Sequence, residues 1–230
     1  MLRQVPLVTG ETYHIFNRGA HKQNIFTSDE DYRRFQVNLH LANHTHPIVV
    51  RDILGSPKYR EPFSEFPSDK GLVDVLGYSL LPNHFHIILQ QKTDGGITRF
   101  MKKVGVGYSM YFNLKYGHSG TLFQGSFKSN HIDTDPYHQW IFAYVHLNAV
   151  SLIDPGWKER GIVDTPAAQR FLDTYKYSSH FDYYSVERPE RAILAYDEGQ
   201  FLIEKKAGIS GLLQTYTRGK FLNEESVLTI

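Results

Sequence analysis

The stretch Leu80-Leu81-Pro82-Asn83-His84-Phe85-His86-Ile87-Ile88-Leu89 decides how this chain folds. Side chains along a strand change face at every residue. Read as a strand, His84 to Gln90 puts both imidazoles on one face and sends Phe85, Ile87 and Leu89 into the opposite layer. Leu72 to Leu81 reads as the partner strand, with Pro82-Asn83 as the tight turn between them. Two imidazoles on a buried face cost desolvation unless something holds them. A divalent metal ion is the most economical holder. His44-Thr45-His46 is the contrast: it falls at an expected helix end before Pro47, where solvated histidines are common.

Working outward, Thr12 to Asn17 alternates as a strand and Arg18-Gly19 opens a loop. Ser28 or Asp29 caps a helix running to about Asn43, with Tyr32, Phe35, Leu39 and Ala42 as its apolar stripe. Pro47 stops it, since the residue before proline avoids helical geometry. Ile48-Val49-Val50 is a short strand candidate, and Gly55, Pro57, Pro62, Pro67 and Gly71 mark an insertion loop over about residues 55–71. Ile97 to Tyr116 is helical, although Gly105 and Gly107 each weaken it by about 1 kcal/mol. Phe127 to Ile132 reads as a strand. Asp135 as N-cap with Pro136 at the first helical position starts a helix to about Ala149.

This order predicts an α+β fold: a ferredoxin-like antiparallel sheet covered by helices. One domain over residues 1–182 is expected. A C-terminal helical appendage over residues 183–230 follows, with Ala192 to Ala207 and Gly211 to Tyr216 as its helices.

Composition narrows the function. The chain has 230 residues, 41% hydrophobic and 21% charged, which suits a folded soluble protein and excludes wholesale disorder. The sequence lacks an apolar run near the roughly 18 residues that span a bilayer, so no membrane partner is expected. The N-terminus shows no signal-like apolar region. No cysteine is present, which rules out disulfides, thiolate metal sites and cysteine catalysis; a cytoplasmic location is expected. The formal charge of +1 means that any nucleic-acid binding must rest on local clusters.

Tyr144 and Asn148 are four residues apart and share a helical face. They bring polar groups into an otherwise apolar run, where Asn148 could offer an amide oxygen to an ion held by His84 and His86. Imidazole with amide oxygen suits Mg²⁺ or Mn²⁺ better than structural zinc. A free phenol has a pKa near 10. A neighbouring divalent cation favours its anion and polarises a scissile phosphate. A phosphotyrosine ester keeps much of the energy of the broken phosphodiester, so strands rejoin without ATP. These groups together point to phosphodiester chemistry on DNA. The DNA-facing candidates are Arg18, Lys22, Arg99, Lys102, Lys103, Lys115 and Lys128. Arg99 is spaced to neighbour both Lys102 and Lys103, giving either a phosphate-binding cluster or a solvated helix face. Tyr108, Tyr111 and Phe112 read as core rather than as base-stacking rings.

Four segments, Tyr13–Gly19, Leu81–His86, Gly120–Ser129 and Tyr144–Val150, resemble in that order the HUH-type single-tyrosine transposases, and within them the REP-associated tyrosine transposase branch. The resemblance covers about residues 10–182 and ends near Tyr177-Ser178-Ser179. It implies a ferredoxin-like fold, a homodimer, and Mg²⁺- or Mn²⁺-dependent cleavage of single-stranded DNA at hairpin-marked sites through a 5′-phosphotyrosine link. Carried over by motif, His84, His86 and Asn148 are the metal ligands and Tyr144 is the nucleophile. The chain departs from the pattern at Ala149 and Ser151, where proline and a basic residue are common, and at Ser126, where arginine is common. Two other readings compete: a catalytically silent hairpin-binding descendant, and a phosphodiesterase with a water nucleophile. The latter needs a carboxylate base near His84, for which Asp74 is poorly spaced.

Overall fold

A computed structural model of the chain describes residues 6–46, 63, 71–200 and 208–220. The expected strand at Ile48–Val50, nearly all of the 55–71 insertion, and residues 201–207 of the expected Ala192–Ala207 helix lie outside the described residues.

The described residues form β1 (Thr12–Arg18), α1 (Asp29–Ala42), β2 (Val73–Leu81), β3 (His84–Gln91), α2 (Gly96–Tyr116), β4 (Lys128–Ile132) and α3 (Asp135–Leu147). The sheet runs β2-β3-β1-β4, and each neighbouring pair is antiparallel. This is the ferredoxin-like order that the sequence predicts. Helices α4 (Trp157–Arg160), α5 (Thr165–Leu172), α6 (His180–Tyr184), α7 (Tyr196–Gln200) and α8 (Gly208–Lys220) follow, so the C-terminal region is helical. Among the described residues no helix is long and apolar enough to cross a membrane.

Period-two patterning assigns the sheet faces. Tyr13, Ile15, Phe85, Ile87 and Leu89 pack with Phe35 and Leu39 of α1 and Phe100 and Val104 of α2. The other face lies under α3, whose Trp140, Ile141, Phe142 and Val145 share a second core with Ile88. Helix α3 is apolar nearly all round because it is covered on both sides. Its outer side meets α8, where Trp140 Nε1 donates to the Tyr216 carbonyl at 3.0 Å. Helix α8 therefore packs directly on the helix that carries Tyr144.

Local signals place the ends. Ser28 and Asp31 form a capping box at α1. At α3 the N-cap is Thr134 rather than Asp135: its hydroxyl accepts from Tyr137 N at 3.4 Å, and Asp135-Pro136 fill the first turn. The helix also stops earlier than the expected Ala149, tightening into a 3-10 turn over Asn148–Leu152. In β2 the register shifts between Val75 and Gly77, so Leu76 is an extra residue that turns towards α3. That bulge explains why Val73 and Val75 share a core with Tyr78 and Leu80 although their parities differ.

The β2–β3 turn is fixed from outside. The Pro82 carbonyl accepts from Ile25 N at 2.8 Å and Phe26 N at 2.9 Å, and the Asn83 carbonyl accepts from Gly19 N at 2.8 Å. Gly19 has no room for a side chain: a Cβ there would lie 2.1 Å from the Gln23 carbonyl oxygen. The start of β3, and with it His84, is thereby clamped to the end of β1.

Asp31 pins α1 to α2. Its fully buried carboxylate accepts from Thr27 N, Tyr116 Oη and Lys115 Nζ at 2.8 Å each, and from Tyr111 Oη at 3.0 Å. Burial alone would raise its pKa, but these bonds, Lys115 foremost, hold it well below the usual carboxylate range. A depressed carboxylate stabilises the fold above its unfolded value of 3.8 and loses that contribution as pH falls below it. We expect Asp31→Asn to cost about 2–3 kcal/mol at pH 7, the scale of hydrogen bonds to a charged group. In urea titrations the gap from wild type should narrow below pH 4; a pH-independent gap would contradict the assignment.

Candidate active site

The pleat of β3 sets His84 and His86 on the α3 side of the sheet. His84 pairs with Leu81 of β2 and Arg18 of β1, and His86 with Ser79 and Phe16. The two rings are 5.1 Å apart and nearly perpendicular. From β1 comes a third imidazole on the same face. His14 Nε2 lies 2.8 Å from His86 Nδ1, with the rings stacked at 5.0 Å. His84 Nδ1 lies 2.7 Å from Asn83 Oδ1, which can only accept, so this nitrogen carries the proton and Nε2 keeps a lone pair.

Helix α3 closes the site from above. The Tyr144 ring stands edge-on to His86 at 5.4 Å and to His14 at 6.0 Å. Behind it, Trp140 stacks at 5.5 Å and Tyr216 of α8 at 6.3 Å. One turn on, Asn148 Nδ2 is 3.3 Å from His86 Nε2, while Asn148 Oδ1 is buried without a hydrogen-bond partner. The carbonyl of Asn148 accepts from Ser151 Oγ at 2.7 Å, which steadies the 3-10 turn. Beyond that turn α4 returns Lys158, whose Nζ donates to Tyr144 Oη at 3.2 Å.

Burial dominates the electrostatics. It pushes His14 down to about 3 and His84 to about 4, and holds His86 well below 6.5; the Lys158 charge acts in the same direction on all three. The imidazoles are therefore neutral at physiological pH, the form in which they donate lone pairs. Burial raises Tyr144 to about 12, opposed by the Asn148 amide. Burial lowers Lys158 to about 8. Among the described residues no group of three His, Cys, Asp or Glu side chains could hold a metal; the donor set here is two imidazoles and an amide.

The basic candidates separate. Arg18 lies beside His84 and bonds Gln124. Lys128 starts β4 opposite Phe16, 6.0 Å from that ring. Lys22 is exposed in the 3-10 turn after β1. Lys102 lines a cleft of about 540 Å³ between α2 and the loop at 123–127, with Asn17 at its edge. Arg99 caps its own helix start through Thr93 and Asp94. Lys103 donates to the carbonyls of His44 and His46, and Lys115 belongs to the Asp31 pin. These last two serve as intramolecular braces. Asp74 pairs with Lys92 at 2.9 Å towards the far end of β2 from His84, so it cannot serve as the base that a water-nucleophile mechanism needs.

His14 and Lys158 escaped the sequence reading. His14 was detectable in principle, because it alternates with Phe16 and shares its parity with a site on the neighbouring strand. Lys158 carried no local signal.

Paired imidazoles thus lie on a four-stranded antiparallel sheet under a tyrosine-bearing helix, and the comparison with protein families gives the class. The family model described as "Transposase IS200 like" matches residues 8–148, more than half of the chain, and the chain belongs to that family. Among solved structures it is similar to one described as the REP-associated tyrosine transposase bound to a REP hairpin. That pair shares 12% identity and a TM-score of 0.47, covering 79% of this chain and 83% of the other. No curated protein matches the chain.

We expect His14 and His84 to stay uncharged far below the ordinary histidine range. Imidazole ¹⁵N shifts for these two should remain flat from pH 7.5 to 5.5. A titration midpoint near 6.5 for either would show that the site is wet.

Proposed function

We propose that this chain is a metal-dependent strand transferase that cleaves hairpin-marked single-stranded DNA with Tyr144 as nucleophile, forming a 5′-phosphotyrosine link. The observation that carries this reading is the approach of the Tyr144 ring to within 5.4 Å of His86, with Asn148 beside the same imidazole. Family membership supports DNA transposition as the setting. The hairpin, and the REP-associated branch, are what the four motifs imply.

The residues fit a divalent cation. With His86 Nδ1–H donating to His14, the Nε2 lone pairs of His84 and His86 face the side of Asn148, whose Oδ1 is a buried oxygen with no partner. Which end of an amide is oxygen is an assignment made from such partners, and a cation satisfies all three atoms at once. Mg²⁺ or Mn²⁺ held there would polarise the scissile phosphate and offset its charge. The protein's own side chains do the rest. Asn83 fixes the His84 tautomer and His14 orients the His86 ring, as outer partners of ligands commonly do. Trp140 and Tyr216 hold the phenol ring in place. Arg18 and Lys128, on the strands beside the imidazoles, would take the neighbouring phosphates.

A silent hairpin binder would not need a phenol buried against three imidazoles, so the enzyme reading is preferred. The expected result is a covalent protein–DNA adduct with Mn²⁺ and a pool of hairpin oligonucleotides with randomised flanks, abolished by EDTA. Tyr144→Phe should lose the adduct and keep DNA affinity within about twofold. His84→Ala and His86→Ala should each weaken Mn²⁺ binding, read by calorimetry, by about 10-fold or more. Adduct from the Tyr144→Phe protein would remove the tyrosine from its role, and unchanged Mn²⁺ affinity would remove the histidines.

A further inference from the structure

Lys158 is a polar member of the site that the motifs do not name. Trp157, buried and packed at 4.9 Å on Tyr216, fixes α4 so that its neighbour in sequence reaches back over α3. The Lys158 ammonium lies 4.8 Å above the Tyr144 ring and 3.2 Å from its hydroxyl. A solvating lysine would point outward from so short a helix. Here the four-carbon stem is spent on bringing a nitrogen to the reacting oxygen.

We infer that Lys158 is a catalytic residue of the proposed reaction, the proton acceptor for the Tyr144 phenol in cleavage and the donor that returns the proton in rejoining. The inference rests on the nucleophile reading above. As Tyr144 Oη forms its bond to phosphorus, the phenolic O–H breaks and its proton passes to the lone pair of the neutral amine. The P–O3′ bond breaks, and the 3′ oxygen leaves with the electron pair and takes a proton from solvent. One phenol and one phosphodiester become a 5′-phosphotyrosine and a 3′-hydroxyl, and the ammonium holds the phenolic proton. In rejoining, the ammonium gives that proton back to the departing tyrosine oxygen.

The surroundings suit an amine that changes state near neutrality. Facing Lys158 are the neutral imidazoles of His14, His84 and His86 and the phenol of Tyr144, with the Glu159 carboxylate beside it. Burial outweighs Glu159 and favours the uncharged amine. A base works best when its pKa lies near the operating pH.

The test is the single-turnover rate of adduct formation with Mn²⁺ and the hairpin pool, from pH 6 to 9.5, for wild type, Lys158→Ala, Lys158→Arg and Tyr144→Phe. The wild-type rate should rise with pH and level above about 8. Lys158→Ala should be about 100-fold slower, the usual worth of a positioned base. Lys158→Arg should be equally slow, because guanidinium cannot give up its proton; both variants should lose the rise near 8. Lys158→Arg with wild-type rate and profile would mean that charge alone suffices and would overturn the inference. So would Lys158→Ala at wild-type rate. Adduct formed by Tyr144→Phe, or none formed by wild type, would instead sink the nucleophile reading and the lysine's role with it. Independently of activity, competitive acetylation of Lys158 in the whole protein should titrate near 8; a midpoint near 10.5 would refute the inference.

Discussion

Burial of a row of uncharged imidazoles between sheet and helix is the constraint on which the rest of the structure depends. His14, His86 and His84 occupy one face of β1 and β3, and α3 seals them from above. A buried ring that cannot charge must find partners for its nitrogens. Two nitrogens do so at a defined atom: His86 Nδ1 on His14 and His84 Nδ1 on Asn83. The Asn83 oxygen fixes the His84 tautomer and leaves the lone pair on Nε2, while the Asn148 amide meets His86 at Nε2. Pleat, burial and proton position thus set the direction in which the site acts.

The change from α-helix to 3-10 turn at Asn148 is the second hinge of the design. A 3-10 turn is tighter and rotates each residue further about the axis than an α-helix does. Tyr144 belongs to the last full turn of α3 and Asn148 opens the tighter one, so both face the histidines while the chain swings away towards α4. Ser151 braces that turn through the Asn148 carbonyl. Lys158 brings its nitrogen to the phenol from α4. On the outer side, α8 supplies Tyr216 to a stack with Trp140 and Tyr144, which makes the C-terminal region part of the site's wall.

The charge pattern shows how little bulk composition says about binding. With a net charge of +1, several basic groups are spent inside the fold. Lys115 neutralises Asp31, Lys103 ties down the end of α1, and Arg188 pairs with the buried Asp182. Arg18 lies across from His84 and Lys158 reaches Tyr144, while Lys128 lies across from Phe16 on the neighbouring strand.

Periodicity by itself determined the ferredoxin-like plan: period two placed His84 and His86 on one face, and 3.6-residue spacing put Tyr144 and Asn148 on another. These are local rules, and local rules survive folding wherever one face must be buried. The bulge at Leu76, the Thr134 cap and the 3-10 turn at Asn148 lay at the limits of such rules, because hydrogen-bond competition at an element's end is settled by neighbours. Tertiary structure alone decided that His14 would orient His86, that Lys103 and Lys115 would brace helices, and that Lys158 would reach the phenol from fourteen residues away. A side chain's chemistry there depends on which distant atoms share its low-dielectric surroundings, and no pattern along the chain encodes that proximity.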